Sequence, residues 1–299
     1  MKKSVSMLLA ALMLTGALAG CGSSASTSGT QAEDGADSGV SGAITVISRE
    51  DGSGTRGAFI ELTGVEEKTA DGKKVDNTTA DAEIANKTDV VLTSVAGNEK
   101  AIGYISLGAL NDTVKAVKVD GAEATVDNVK AGAYKLSRPF NIATKGEPTG
   151  VAKDFISFIL SKEGQAVVTD NKYIAVNDAA ESFVSDGSSG QIAVGGSSSV
   201  SPVMEKLIEA YKSVNPNASI DLQTSDSTSG MTGAMDGTFA IGMASRELKD
   251  EEAAQLTGTA IALDGIAVIV NPANTIDELS MDQIKSIYIG DITDWGDLA

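Results

Sequence analysis

Three times in this chain an apolar run of strand character feeds a turn of small residues and then a helical pattern, and that repetition calls for a layered α/β architecture. The first unit runs from Ile44-Thr45-Val46-Ile47 through Ser48-Arg49-Glu50-Asp51-Gly52-Ser53-Gly54-Thr55-Arg56-Gly57 into Ala58-Phe59-Ile60-Glu61-Leu62. Ser53 suits an N-cap, Gly52 and Gly54 let the backbone turn tightly, and Gly64 stands where a helix ends. The second unit passes from Ile192-Ala193-Val194 through Gly195-Gly196-Ser197-Ser198-Ser199 to a helix opened by Ser201-Pro202 and ended by Asn215-Pro216. In the third, the strand Ile220 to Gln223 meets the turn Ser225 to Gly230, followed by a helix with Met231, Ala234 and Met235 on one face. Such turns aim bare N–H groups outward with the positive end of a helix dipole behind them, and Arg49 and Arg56 add guanidinium forks for a tetrahedral oxyanion. Taken singly, each turn is equally an ordinary strand-to-helix connection with solvated arginines.

Composition narrows the classes. A chain of 299 residues with 42% apolar content holds one large or two medium domains. The formal charge of −18 argues against nucleic acid and against electrostatic docking on anionic lipid. It leaves a buried anion site possible, because exposed charges are screened beyond about 8 Å at physiological salt whereas buried donors are not. With no histidine and one cysteine, His-based triads, His metal sites and disulfides are excluded. No metal or other cofactor is expected.

Residues 1–20 read as a secretory signal, with Lys2 and Lys3 ahead of the apolar run Met7 to Leu18. Residues 21–42 are rich in Ser, Gly, Ala and Asp and are expected to form a disordered tether. Within the body, Val65 to Lys87 is expected to be loop plus a short helix. Val90 to Leu92, Ala101 to Ile105, Ala116 to Val119 and Ser137 to Thr144 are expected to be strands. Val151, Phe155, Phe158, Ile159, Val167 and Val168 mark a helix with a core-facing stripe, and Ser280-x-x-Gln283 is a capping box. Ile261 to Val270, broken at Asp264-Gly265, fits a strand that crosses between domains.

The run Ser48 to Thr55 resembles the signature of the phosphate-binding lipoproteins that serve ABC-type phosphate importers. Val194 to Pro202 resembles the first strand and phosphate loop of the same family, and Ala101 to Leu107 its Ala-Ile-Gly-Tyr segment. The order is inverted: in the usual member the Ser-rich loop opens the mature chain and the Arg-x-Asp-Gly-Ser-Gly-Thr run comes later. The resemblance therefore implies a type 2 two-domain periplasmic-binding-protein fold in circularly permuted order, with the ligand in the cleft. It implies a discontinuous domain of residues 43–135 plus 269–299, a continuous domain of residues 136–268, and a permutation linker at 177–190. If a loop of about six residues was cut, Ala43 and Asp297 should lie within ~20 Å of one another. Leu18-Ala19-Gly20-Cys21 resembles a lipobox, which implies a lipid on Cys21 and a place on the outer face of the cytoplasmic membrane.

Carried over by motif, the phosphate contacts are Arg49, Ser53, Gly54, Thr55, Ser198, Ser199 and Ser227, with Asp51 orienting Arg49. Arg56 falls outside the matched contacts and is expected to be solvated. After Ser245 the best-known members carry an Asp that accepts the ligand's proton; this chain has Arg246, either a second cationic contact or a surface arginine paired with Glu247 or Asp250. Asp226 is the candidate replacement acceptor. The implied function is a monomeric substrate-binding protein that delivers inorganic phosphate to an ABC permease. A binder of another oxyanion such as sulfate, and a surface sensor or adhesin on the same fold, are the alternatives. A hydrolase is disfavoured because no general base accompanies Ser53 or Ser198.

Overall fold

The computed structural model describes residues 40–298. The leader, most of the tether and Cys21 lie outside the described residues. Strand β1 (Thr45–Arg49) turns into helix α1 (Gly54–Thr63), whose N-cap Ser53 accepts from the Arg56 N–H and whose end is the left-handed Gly64, φ 72°. The polar segment that follows forms strands instead of a short helix: β2 (Glu66–Lys68) and β3 (Lys74–Asp76) make a hairpin, and β4 (Glu83–Ala85) lies parallel to β1. Cross-strand charge, Lys74 Nζ to Glu66 Oε1 at 2.8 Å, replaces the apolar alternation that would have announced a hairpin.

Helix α2 (Thr88–Ala96) corrects a second expectation, since Val90 to Leu92 is helical. Its β-branched residues suggest a strand, but Val91, Leu92 and Val95 share one buried helical face. Strand β5 (Ala101–Ser106) is buried throughout. The strand expected at Ala116 to Val119 is split into β6 (Lys115–Ala116) and β7 (Lys118–Val119), each with a different partner. Helix α3 (Val126–Lys130), capped by Thr125, leads to β8 (Ser137–Thr144). The single helix expected beyond it is two, α4 (Gly150–Leu160) and α5 (Lys162–Asp170), because Ser161 turns extended and caps the second by accepting from the Gly164 N–H.

The later chain alternates as expected: β9 (Gly190–Ser197), α6 (Ser201–Val214), β10 (Ala218–Ser225), α7 (Ser227–Asp236) and β11 (Ile241–Ala244). Then come α8 (Asp250–Ala253), β12 (Thr257–Val270), β13 (Glu278–Leu279) and α9 (Met281–Ile289), which the Ser280–Gln283 capping box opens. The main sheet has the order β10-β9-β11-β8-β12-β5-β1-β4, with β6 added beside β12.

Among the described residues two large apolar cores flank the middle of this sheet, and a smaller cluster gathers Ala143, Met231, Ala234, Ala244 and Leu256. One contains Ile47, Phe59, Tyr104, Ile266 to Val270, Tyr288 and Trp295; the other contains Phe140, Phe155, Met204, Tyr211, Ile241 and Ile261. In the first, Phe59 stacks on Tyr104 at 3.9 Å and meets Tyr288 edge-on, so truncating it should cost about 3–5 kcal/mol. Strand β12 serves both cores, with Ile261 and Ala262 in one and Ile266 to Val270 in the other. Strand β8 crosses beside it: Leu136 belongs to the first core, Phe140 to the second, and Arg138 pairs in register with Asp264 between them.

The two ends of the body meet in the first core. Ala43 bridges Asp294, the Ile44 N–H donates to the Thr293 carbonyl at 2.8 Å, and the Trp295 N–H donates to the Gly42 carbonyl at 3.1 Å. Residues 177–190 form no helix and no strand before Gly190, yet they are tied down. The Phe183 N–H donates to Glu163, Ser185 and the Asp186 N–H donate to Asp154, and the Phe183 ring packs on Phe158 and Tyr211.

Candidate anion-binding site

The three small-residue turns converge. Thr55 in the first turn of α1 is fully buried, and its Oγ1 lies 2.8 Å from Ser199 Oγ and 3.4 Å from Ser245 Oγ. Ser198 and Ser199 come from the loop between β9 and α6, whose Ser198 N–H is fixed by the Ser225 carbonyl at 2.9 Å. Ser227 opens α7, and its Oγ accepts from the Ser245 N–H at 3.1 Å. Glycine is required beneath this loop: Gly196 has φ 136°, and a Cβ on Gly230 would come within 2.7 Å of the Gly196 Cα, so α7 can lie close to β9 only without side chains there. The Thr228 N–H donates to the Gly52 carbonyl at 3.2 Å, which joins the α1 and α7 turns directly.

Arg49, at the end of β1, is 2% exposed. Its Nε and Nη2 donate to Glu50 Oε2 and Oε1 at 2.8 and 2.7 Å, and Nη2 also reaches Ser198 Oγ at 3.1 Å. Its Nη1 is buried and has no partner. Sequence reasoning missed three further members. Thr88, the first residue of α2, reaches Ser198 Oγ at 3.4 Å and Ser199 Oγ at 3.3 Å, which makes a fourth helix N-terminus at the cluster. Ser245 follows β11 and contacts Ser197 Oγ at 3.0 Å. Arg138, on β8, donates from Nη2 to Thr55 Oγ1 at 3.1 Å. An arginine inside a strand read as crossing between the domains is a signal the sequence did carry for Arg138; for Thr88, reading the helix as a strand hid it.

The cluster has more donors than acceptors. Its hydroxyls bond one another, four helix N-termini add positive potential, and guanidinium N–H groups are left over, an arrangement complementary to a dehydrated oxyanion. Nothing in it activates a nucleophile. The nearby Tyr104 hydroxyl, 3.0 Å from Ser48 Oγ, is pushed up to about 12 by burial despite its hydrogen bonds, so it is not a base at neutral pH. Among the described residues no group of three or more His, Cys, Asp or Glu side chains is arranged to hold a metal. A cleft of about 640 Å³ lies between the outer face of α1 and residues 246–251; Arg138 lines it too, whereas Ser198, Ser199, Ser227 and Ser245 do not.

Comparison with known proteins accords with this geometry. The PBP superfamily domain matches residues 25–163 and 182–299. The chain is 50% identical over 300 residues to the phosphate-binding protein PstS 2 of Streptococcus agalactiae, covering 99% of this chain and 98% of that one. The chain belongs to the PstS family of the PBP superfamily. A crystal structure of the phosphate-binding protein of a phosphate ABC transporter from Streptococcus pneumoniae is similar with a TM-score of 0.69 at 50% identity, covering 86% of this chain and all of that one. The PstS protein of Bacillus subtilis matches over 137 residues only, at 34% identity and 45% of this chain.

Against the PstS-derived expectations, the structure brings Arg49, Ser53, Gly54, Thr55, Ser198, Ser199 and Ser227 together. Asp51 is a correction. Its side chain is 98% exposed and pairs with Arg56 at 2.8 Å, whereas the carboxylate that holds Arg49 bidentately is Glu50. The strand ends at Arg49, so its alternation no longer sets direction: Glu50 folds back over the guanidinium, and Asp51, in the turn, faces solvent. Arg56 is mostly buried rather than solvated, and it braces the turn by donating to the Arg49 carbonyl, Asp51 and Asp76. Arg246 pairs with neither Glu247 nor Asp250 through its guanidinium and their carboxylates. Its two Nη groups grip Glu252 at 2.7 and 2.8 Å, and Nη2 also reaches Thr228. Glu252 is the better-placed partner because α8 turns it, buried, toward the strand end. Asp226 is likewise committed: it caps α7 by accepting from the Ser229 N–H and hydroxyl.

Proposed function

We propose that this chain binds inorganic phosphate between its two cores and delivers it to the permease of an ABC importer. The observation that carries the reading is the unpartnered Arg49 Nη1, buried among hydroxyls from both cores at the meeting point of four helix N-termini. Phosphate supplies the missing acceptors. Its oxygens take the Arg49 N–H, the backbone N–H groups of the α1 turn and the hydroxyls of Thr55, Ser198, Ser199 and Ser227. Ser53 and Gly54 contribute as the cap and first residue of α1. Opening occurs about the strands β8 and β12, and the anion draws the halves together because neither half alone holds a complete donor set. We divide the body accordingly into residues 43–135 plus 269–299 and residues 136–268.

The relatives named above are binding components of transport systems, and this chain acts as one, without turnover: no residue beside the hydroxyls takes a proton from them. The reading includes a lipid on Cys21, which holds the protein on the outer face of the cytoplasmic membrane, and a monomeric body. The order of the chain is a circular permutation of the usual PstS order, a reading supported by the meeting of Ala43 with Asp294, the full-length match to the streptococcal protein and the partial match to the Bacillus one. Calorimetric titration with phosphate, sulfate and a phosphate monoester tests the function. Phosphate should bind and the ester should neither bind tightly nor be hydrolysed; release of phosphate from the ester at a rate abolished by Ser53→Ala would sink the reading.

A further inference from the structure

Arg138 sits where β8 leaves the first core for the second, and it is 3% exposed. Its register partner on β12 is Asp264, 1% exposed, whose Oδ1 accepts from Ser106 at 3.0 Å. The two form an ion pair with Nη2 at 3.1 Å from Oδ2, yet the N–H is not lined up on that oxygen. It points to Thr55 Oγ1 instead, also at 3.1 Å. Asp264 thus neutralises the guanidinium without consuming its hydrogen bonds, and Nε and Nη1 remain buried and unpartnered. An ion pair that merely stapled two strands would align its donors on its own carboxylate.

Thr55 gains a defined polarity from this contact. A hydroxyl has one proton; accepting from a guanidinium leaves Thr55 to donate that proton forward, toward Ser199 or a bound anion. Arg49 and Arg138 are also buried close enough to oppose each other. Arg138 is lowered to about 10, first by burial, with Asp264 opposing and Arg49 reinforcing the shift, so it stays charged at neutral pH. Two buried like charges beside unspent donors are relieved by an anion placed within reach of both. We infer that Arg138 is a second cationic residue of the anion site, held by Asp264 where the chain crosses between its cores, and that it raises affinity for a bound phosphate through charge and through Thr55. The inference rests on the phosphate reading above and adds a residue that the motif match did not include.

Removing Arg138 alone strands the Asp264 carboxylate, so the test uses a neutral pair. Inorganic phosphate is titrated calorimetrically into the wild-type chain, Asp264→Asn, the double variant Arg138→Gln with Asp264→Asn, and Arg138→Lys, each with a thermal melt taken without phosphate. Asp264→Asn is the reference background, since it keeps the guanidinium and removes the carboxylate that loss of Arg138 would strand. The double variant should bind on the order of tenfold or more weaker than Asp264→Asn, and Arg138→Lys should retain part of the affinity because it keeps the charge and loses the fork. Equal affinities for Asp264→Asn and the folded double variant overturn the inference and leave the phosphate reading intact. Failure of the wild-type chain to bind phosphate overturns both.

Discussion

Two buried polar clusters of this molecule have opposite balances. Asp154 on α4 receives the Tyr211 hydroxyl at 2.6 Å, Ser185 at 2.8 Å, the Asp186 N–H at 2.9 Å and Asn215 Nδ2 at 3.1 Å, and no side-chain atom of that set is left buried without a partner. The serine and arginine cluster leaves Arg49 Nη1 and Arg138 Nε and Nη1 without partners against one unmet acceptor, Asp264 Oδ2, so donors remain in surplus. Both are buried, so hydration cannot explain the contrast. A network that closes on itself fastens one piece of chain to another, here residues 185–188 to α4 and α6. One that ends in unmet donors is completed by something the chain does not contain.

The widest gap between the two should appear on substitution of Arg49. Arg49→Ala is expected to weaken phosphate binding by roughly 2–5 kcal/mol, because the anion loses its charged partner in a buried site. Its melting temperature should move far less than its affinity. The mirror case is Asp154→Ala, which orphans Tyr211 and Asn215 and should cost roughly 3 kcal/mol of unfolding free energy in urea titration. Phosphate affinity should be nearly untouched there; a loss of both in either variant would erase the distinction drawn here.

Acidity separates the clusters in sign. Burial alone would raise Asp154, but the donors from Tyr211, the Asp186 N–H, Ser185 and Asn215 together hold it below the ordinary carboxylate range. Its stabilisation is therefore present above the unfolded value near 4 and is lost as pH falls through the lower folded value. Asp264 runs the other way. Burial raises it to about 6 against the opposing pull of Arg138 and Ser106, so its contribution favours the folded state at low pH and declines as pH rises from about 4 to about 6. Melts across this range should show Asp154→Asn losing the rise with pH that wild type has, while Asp264→Asn loses the decline.

Smaller effects sharpen the picture of the arginine clamp. Glu50→Gln should weaken phosphate binding by about 1 kcal/mol, since the bidentate hold on the guanidinium is reduced to a neutral hydrogen bond. Asp51→Asn should leave binding within error, because that carboxylate is exposed and engages Arg56. A reversal of these two ranks would restore Asp51 to the orienting role.

Much of the candidate site was legible through the motifs that resemble the family's phosphate loops, since the turns alone fit ordinary connections equally well: Ser53, Ser198 and Ser227 each open or precede a helix as those motifs imply. Thr88 was hidden for a physical reason. Its helix carries Val90, Val91 and Val95, whose local preference is extended, and only burial against β5 makes it helical. Glu50 and Arg138 were hidden differently, since which carboxylate reaches Arg49 depends on how the chain turns past the strand end, and which cation backs Thr55 depends on a register across 126 residues of chain. The split at Ser161 and the hairpin at residues 66–76 were lost because one hydroxyl cap and one cross-strand charge pair leave no periodic trace.

The central claim, that donors from both cores enclose a single phosphate, is tested most directly by a crystal structure grown with inorganic phosphate. One anion should be bound by Arg49 Nη1 and by hydroxyls of Thr55, Ser198, Ser199 and Ser227, out of contact with bulk water. An anion found only in the cleft beside Leu62 and Leu248, or a cluster whose hydroxyls keep their mutual bonds at saturating phosphate, would contradict it.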